Sequence, residues 1–311
     1  MTAEKIAYIH LCATADVPIF MQNWWLDAVC REGWSVALAY NGKGEIEAAL
    51  AFAKRKKWGL TTLSEPVLTP FCGVWFRQKT FKKRYEKIVY EKKNVQKTIE
   101  QLPFAHRYSF RLTPFLTDWQ PFYWAGWRQE TRYTYRLNIE NLTTVFENFN
   151  DNTKRNIRKA AQNFTIQSGS NFDKFLEIND LTYKRQNIPQ PIPLQTWQAV
   201  ERVLSEKSRR RIFFAQTTEG AVEAAIYVIF DNETAYYLAG GATDAGRSRG
   251  AMHGLLARAI EEASVTGCTV FDFEGSMLQG VEPFFRGFGG ELTPYFRVYK
   301  YANKLLEHLF L

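Results

Sequence analysis

Residues 271–290 read FDFEGSMLQGVEPFFRGFGG, and this stretch decides the fold of the C-terminal half of the chain. An apolar, strand-like segment runs into two acids, Asp272 and Glu274, and the chain then turns at Gly275. The aromatic and basic segment around Arg286 predicts a short helix that ends at a glycine pair. Two carboxylates at the exit of an apolar strand require an explanation.

The elements predicted around this stretch follow a definite order. They are three strands, a helix, a buried strand, a short helix and a last strand, over 209–220, 221–232, 233–242, 247–267, 268–276, 281–289 and 293–302. The helix joins two strands that are each too apolar to be exposed on both faces. A helix that follows antiparallel strands and crosses to a buried strand is the topology of the GNAT acyltransferase fold.

Two further segments strengthen this interpretation. With the opening stretch, NTKRNIRKAAQNF (152–164) and YYLAGGATDAGRSRGAMHGLLARAI (236–260) resemble the FemAB-like branch of the GNAT superfamily, also described as BioF2-like acetyltransferase domains. The resemblance is clearest over 151–300. It implies an α+β protein with two tandem GNAT-like domains, each a mixed, mostly antiparallel sheet flanked by helices. We place them at 1–141 and 142–311.

The resemblance also implies a chemistry. FemAB proteins of established activity transfer an amino acid from aminoacyl-tRNA to the peptide of a peptidoglycan precursor, and related branches are thought to use acyl-CoA. We therefore expect an N-acyltransferase that takes its acyl or aminoacyl group from acyl-CoA or aminoacyl-tRNA, without a metal. The acceptor would be a small-molecule or peptide amine, and tRNA would be a partner where it is the donor.

Amide formation needs a neutral amine and a stabilised carbonyl oxygen, which suggests roles for three residues. Glu274, where the strand opens, would hold or deprotonate the acceptor amine. Arg286 would bind a phosphate or carboxylate of the substrate, and Lys300 would stabilise the oxyanion or bind the donor's phosphates. An ion pair of Glu274 with Arg286 or Lys300 is an equally weighted alternative. Asp272 is expected to cap a turn or accept from backbone amides.

The start of the predicted helix at 247–267 is the expected cofactor site. Acetyl-CoA-dependent GNAT proteins carry Gln/Arg-x-x-Gly-x-Gly/Ala here, whose backbone N–H groups hold a pyrophosphate. The chain supplies Arg247, Arg249, Gly250 and Ala251, but it has Met252 at the last small position. The bulky side chain leaves aminoacyl-tRNA open as the donor, and helix capping alone would also explain Gly250 and Ala251.

A basic helix is predicted at the start of the second domain. Ile157, Ala160, Ala161 and Phe164 have the spacing of a buried stripe, which leaves cations on the other faces: Lys154, Arg155, Arg158 and Lys159. The family places a tyrosine and basic segment in the same region, here Tyr183 and Arg185. We expect Arg158, Tyr183 and Arg185 to contact substrate, although a solvated helix face is the usual explanation for such a run.

The 311 residues are 46% hydrophobic and 15% aromatic, which is typical of a folded globular chain. No apolar run approaches the ~20 residues that cross a bilayer, and no signal peptide is recognisable, so we expect a cytoplasmic protein. The four cysteines and four histidines have no metal-ligand spacing, which argues against a structural zinc site.

Most of the +8 net charge lies in residues 1–150, which hold 21 Lys and Arg against 14 Asp and Glu. Part of it lies in a predicted helix between Arg77 and Lys97. Its apolar side is formed by Tyr85, Ile88, Val89 and Val95, and its outer face is basic. The same half contains a predicted helix at 24–31 and a strand pair that turns at Asn41-Gly42.

Other functional classes are less consistent with the sequence. Residues 246–250 (GRSRG) have Gly-x-Ser-x-Gly spacing, but no serine or cysteine stands in a recognisable catalytic context, which disfavours a nucleophilic hydrolase. No Walker-type phosphate loop is present, which disfavours a nucleotide hydrolase. DNA is not an expected partner. The remaining rival is a non-catalytic GNAT-fold module that binds RNA or an anionic precursor through its basic N-terminal half.

Overall fold

The computed structural model describes residues 1–31, 33–275, 277–303 and 306–307. It divides into two compact units. Unit 1 contains Met1–Arg132 and the described residues from Pro294 onward, and unit 2 contains Tyr133–Thr293. The predicted division at 141/142 assigned the last strand to the second domain, whereas in the structure that strand belongs to unit 1.

The helices and strands are named in chain order. The elements up to the first boundary are α1 Ala3–Thr14, α2 Asn23–Cys30, β1 Trp34–Tyr40, β2 Ile46–Lys57, β3 Leu60–Ser64, β4 Trp75–Phe76, α3 Arg84–Glu100, β5 Arg107–Arg111, α4 Gln120–Trp124 and β6 Arg128–Asn138. A short 3-10 helix, Ile19–Met21, precedes α2. The remainder are α5 Leu142–Asn148, α6 Asp151–Asn163, β7 Thr165–Gly169, α7 Phe172–Arg185, α8 Leu194–Glu206, β8 Arg210–Gln216, β9 Val222–Phe230, β10 Thr234–Ala242, α9 Asp244–Ser248, α10 Ala251–Val265, β11 Val270–Asp272, α11 Glu282–Arg286 and β12 Glu291–Tyr301.

The sheet of unit 1 has the order β1-β2-β3-β5-β12, with β4 also paired to β2. β3 and β5 are parallel, and the other described pairs are antiparallel. The predicted hairpin is confirmed, because the Asn41 side chain accepts from the backbone N–H groups of Lys43 and Glu45 and closes the turn between β1 and β2. Helices cover both faces: Val36 and Leu38 lie in one core with α1, and Ala37 and Ala39 lie in another with α3.

Helix α3 differs from its predicted orientation. Val95 is buried as expected, but Tyr85, Ile88 and Val89 are exposed. The predicted buried stripe was therefore wrong over the first two turns, where every residue from 82 to 89 is exposed. Only the later turns pack on the sheet, through Asn94, Val95 and Thr98.

The sheet of unit 2 has the order β6-β11-β10-β9-β8-β7. β10 and β11 are parallel, and the other described pairs are antiparallel. Successive residues of β9 point to opposite faces. Ile226 and Val228 lie in the core with α6 and α10, whereas Tyr227 contacts Phe175 of α7 and Trp197 of α8. Each unit is thus the predicted mixed sheet flanked by helices.

Two glycines allow close packing in unit 2. A Cβ on Gly241 would lie 2.2 Å from the carbonyl oxygen of Ile178, so α7 can contact β10 only through a glycine. A Cβ on Gly250 would lie 2.4 Å from the carbonyl oxygen of Asn156, and Gly250 has a φ of +80°. The second contact holds the start of α10 against α6, where Ala160 and Phe164 are buried as predicted and Ala161 is exposed.

No described helix is both long enough and apolar enough to cross a membrane.

Candidate functional site

The two parallel strands of unit 2 separate soon after they begin to pair. β11 pairs with β10 only from Thr234↔Val270 to Tyr236↔Asp272, while β10 continues for six more residues to Ala242. β11 is shorter than the predicted strand over 268–276, because Glu274 takes a φ of +61° and turns the chain out of the sheet. An opening remains beside the second half of β10.

This opening contains a cavity of about 390 Å³. Its walls come from α7, β10, α9, the start of α10, and α11 with the segment that leads into it. The lining residues are Thr182, Arg185, Tyr237, Gly240, Gly241, Ala242, Arg247, Met252, His253, Gly280, Val281, Phe284 and Phe285. An apolar cavity with a few convergent polar groups is the usual form of a small-molecule site.

Helix α7 is tied to the open side of β10 by two side chains. Thr182 donates to the carbonyl oxygen of Gly240 at 3.1 Å, and Arg185 donates to that of Ala242 at 3.4 Å. The N–H of Thr243 instead donates to the carbonyl oxygen of Glu223 in β9. Since the N–H and carbonyl of a strand residue point to the same side, the N–H groups of Gly240 and Ala242 face the opening.

Arg185 and Arg247 are two predicted site residues that the structure brings into the same cavity. Burial lowers the pKa of Arg185, the positive charge of Arg247 lowers it further, and Asp244 partly opposes this effect. Arg247 also contacts Asp244 at 3.4 Å, but that carboxylate is almost fully exposed. Two cations at one cavity favour an anionic ligand, because a negative charge between them would relieve their repulsion.

Tyr237 connects the cavity to two more predicted residues. Burial raises the pKa of its hydroxyl well above the usual value, and the negative charges of Glu274 and of Tyr183 in its ionised form oppose ionisation further. Tyr183 and Glu274 therefore lie within electrostatic range of Tyr237. At neutral pH the Tyr237 hydroxyl is protonated and can donate a hydrogen bond.

His253 is a lining residue that the sequence interpretation did not select. Burial lowers its pKa to about 4, and its ring lies 4.8 Å from that of Phe284 and 6.0 Å from that of Phe288. The imidazole is therefore neutral at pH 7. The sequence shows only that His253 follows Gly250 near the start of a predicted helix. It does not show that Phe284 and Phe288 lie beside the imidazole ring.

Asp272 has a structural environment, which agrees with its predicted role. It is 1% exposed, and it accepts from the Thr134 hydroxyl at 2.6 Å and the backbone N–H of Glu274 at 2.9 Å. Arg136 lies 3.4 Å from its other oxygen. Burial raises the pKa of Asp272, while these hydrogen bonds and Arg136 oppose that shift. These contacts hold the end of β11 in place and therefore determine the position of Glu274.

Three of the four predicted cofactor residues do not line the cavity. Gly250 makes the close contact with α6, Ala251 is fully buried in the core, and the side chain of Arg249 points into solvent. Of the four predicted residues, Arg247 lines the cavity, and so does the neighbouring Met252. Packing accounts for Gly250 and Ala251 without a ligand.

The predicted anion-binding helix has most of its cations engaged. Lys154 donates to the carbonyl oxygen of Glu147 and Lys159 to that of Ser248, both at 2.7 Å. Arg155 donates to Asn152, and Arg158 is exposed. These residues are not among those that line the cavity.

Arg286 and Lys300 are also outside the lining. Arg286 is 63% exposed and contacts Glu282 at 3.4 Å, next to the cavity residues Phe284 and Phe285. Lys300 belongs to unit 1, where its ammonium donates to the carbonyl oxygen of Ala125 at 2.7 Å. It lines a different cavity of about 190 Å³ with Gly126, Arg128, Tyr299, Tyr301, Asn303 and Glu307.

No group of three or more His, Cys, Asp or Glu side chains within the described residues could hold a metal ion.

Residues 147–286 match a family model described as an acetyltransferase (GNAT) domain. A search of curated protein sequences finds no significant match. Among solved structures, FemX superposes with a TM-score of 0.69 at 14% identity, and the alignment covers 99% of this chain and 98% of that one.

Two further solved structures are also similar, the first of them described as a putative lysylphosphatidylglycerol synthetase. The C-terminal domain of a putative enzyme from Agrobacterium fabrum gives a TM-score of 0.56 at 12% identity, covering 91% of this chain and 89% of that one. L-PGS from Bacillus licheniformis gives 0.55 at 10% identity, covering 89% and 87%. At these identities the likeness establishes the fold.

Proposed function

We propose that the chain transfers an acyl or aminoacyl group from an anionic donor to an amine, because residues 147–286 match a GNAT acetyltransferase domain model and the fold is similar to that of FemX. The donor is acyl-CoA or aminoacyl-tRNA, both of which carry phosphates. The cavity between β10 and β11 holds the reacting carbonyl. A donor of either kind would place the reaction in the cytoplasm.

The observation that carries the proposal is the pair Arg185 and Arg247 at a cavity whose other walls are mostly apolar. The arginines would bind the donor's phosphates, since guanidinium groups form charge-assisted hydrogen bonds to phosphate oxygens. The apolar walls would hold the acyl group and exclude water. The family model covers these residues independently.

The neighbouring groups can carry out the transfer. The amine nitrogen attacks the carbonyl carbon, and Glu274 accepts the proton that the amine loses. The N–H of Gly240, which faces the opening, stabilises the negative charge on the carbonyl oxygen. The bond to the donor's sulfur or oxygen then breaks, the Tyr237 hydroxyl hydrogen-bonds to the leaving atom, and that atom takes up the proton that Glu274 accepted from the amine.

Met252 bears on the choice of donor. Acetyl-CoA-dependent relatives have a small residue at this position, whereas here the methionine forms part of the cavity wall. This favours a donor that does not need a pyrophosphate at that point, such as aminoacyl-tRNA. The FemAB resemblance then suggests a peptidoglycan precursor as the acceptor.

Calorimetric titration with acetyl-CoA and with a longer acyl-CoA, beside a binding assay with charged tRNA, tests the proposal. One donor class should bind saturably, and Arg247→Ala should weaken that binding about tenfold or more. Arg258→Ala is the matched control, since Arg258 lies on α10, pairs with Glu261 and Glu262, and does not line the cavity.

The CoA titration and the tRNA binding assay distinguish the two classes of donor. Saturable CoA binding that depends on Arg247 establishes an acyl-CoA transferase and overrules the argument from Met252. Recognition of aminoacyl-tRNA without CoA binding places the protein with the amino-acid-transferring enzymes. Binding of RNA in which charged and uncharged tRNA are equivalent, without transfer to any amine, would support a non-catalytic module instead.

A further inference from the structure

The first turns of α3 carry an exposed apolar stripe. Tyr85, Ile88 and Val89 are 72%, 39% and 44% exposed. Their i, i+3, i+4 spacing places them on one side of the helix. The opposite side is held to the sheet, because Tyr90 donates to the carbonyl oxygen of Glu47 at 3.0 Å and Asn94 and Thr98 are buried. The stripe therefore points away from the core.

The stripe continues onto α4 through Lys92, one turn further along α3. The ammonium of Lys92 lies 3.0 Å from Asp118, contacts the Gln120 side chain and lies 4.9 Å from the centre of the Trp124 ring. Trp124 is 55% exposed, and the adjacent Tyr123 is 63% exposed. The two helices thus present one surface of aromatic and aliphatic side chains.

Positive charges surround this surface. Five basic side chains of the segment are exposed, against the acids Glu86 and Glu91: Lys82, Lys83, Arg84, Lys87 and Lys93. An exposed apolar face with a basic border is complementary to an anionic bilayer, where apolar side chains enter the headgroup region and lysines approach lipid phosphates. A nucleic acid would use the charges and the rings but would leave Ile88 and Val89 in water.

We propose that this α3–α4 surface, formed by Tyr85, Ile88, Val89, Tyr123 and Trp124, binds the face of an anionic lipid bilayer. The inference rests on unit 1 alone and does not depend on the proposed transferase activity. It describes attachment to a membrane surface, which needs no membrane-spanning helix.

Co-sedimentation of the full chain with lipid vesicles tests the proposal. Vesicles of phosphatidylcholine with added phosphatidylglycerol should bind the protein, and vesicles of phosphatidylcholine alone should bind it at least about fivefold less. Added salt should weaken the binding. Val89→Glu should lower binding to the anionic vesicles about fivefold or more, because it replaces an apolar contact with a repelled charge.

Val265→Glu is the matched control. Val265 is 81% exposed on α10 in unit 2, so the same substitution changes the net charge equally without touching the α3–α4 surface. Trp124→Ala is a second variant that alters the surface without adding charge, and circular dichroism confirms that each variant is folded. Any of three results would overturn the proposal. These are equal binding to both kinds of vesicle, an equal loss of vesicle binding in Val89→Glu and Val265→Glu, and binding to tRNA but not to vesicles.

Discussion

The guanidinium groups of Arg185 and Arg247 face one cavity, and the charge of Arg247 lowers the pKa of Arg185. One arginine comes from the end of α7 and the other from α9, helices separated by three strands in the sequence. Folding thus holds two like charges together, and a bound anion is the partner that would stabilise both.

Removal of either arginine should weaken donor binding. We expect Arg185→Ala to reduce affinity about tenfold, in the range of a lost charge-assisted hydrogen bond, and to reduce the salt dependence of binding. The double variant with Arg247→Ala should lose less than the product of the single losses if both arginines contact one phosphate. Titration calorimetry at two salt concentrations measures both effects, and unchanged affinity in Arg185→Ala would contradict the assignment.

Replacement of Glu274 should separate catalysis from binding. Glu274→Gln keeps the shape of the side chain but cannot accept a proton, so we expect turnover to fall about 100-fold or more while donor affinity is retained. Glu261→Gln, on the exposed face of α10, is the control. The measurement is the initial rate with the donor identified by titration, and an unchanged rate would show that Glu274 is not the base.

His253 should make the protein less stable in mild acid. Its folded pKa of about 4 lies below its unfolded value of 6.5, so between these values the unfolded chain binds more protons. The contribution of neutral His253 to the free energy of unfolding is present in full above pH 6.5. It is lost as the pH falls toward 4, by about 2 kcal/mol between pH 7 and pH 5. The free energy of unfolding, measured with urea at these two pH values, should change less in His253→Gln than in the unsubstituted protein.

Gly241→Ala should destabilise unit 2. The added methyl group would meet a backbone carbonyl oxygen of α7 at 2.2 Å, and backbone cannot move aside as a side chain can. We expect a loss of about 1–3 kcal/mol, measured by urea unfolding. Gly42→Ala, whose new Cβ would meet no atom within 4 Å, should change stability by less than about 0.5 kcal/mol. Equal effects would show that the contact can relax.

Local sequence pattern predicted the elements of unit 2 well, because helix and strand periods depend on neighbouring residues. It was wrong for the first turns of α3, since periodicity shows that an apolar side exists but not that anything covers it. The segment over 82–89 extends past the residues that could bury it, so its apolar side remains in solvent.

The site was only partly predictable. Arg185, Arg247 and Glu274 were selected from motifs, and the structure brings the first two into one cavity and the third within range of Tyr237. Tyr237 and His253 were missed because their importance arises from contacts between distant segments. Lys300 was selected from the chemistry of amide formation, but the sequence did not show that the last strand, and Lys300 with it, belongs to unit 1.

The return of the last strand to unit 1 has a consequence for synthesis on the ribosome. Every described residue of unit 2 has emerged before β12 is complete, so unit 2 can fold while unit 1 still lacks one strand of its sheet. Until then β5 exposes an unpaired edge, which is a site for aggregation. A truncation after Thr293 would remove this strand from the sheet of unit 1 and leave the edge of β5 permanently unpaired.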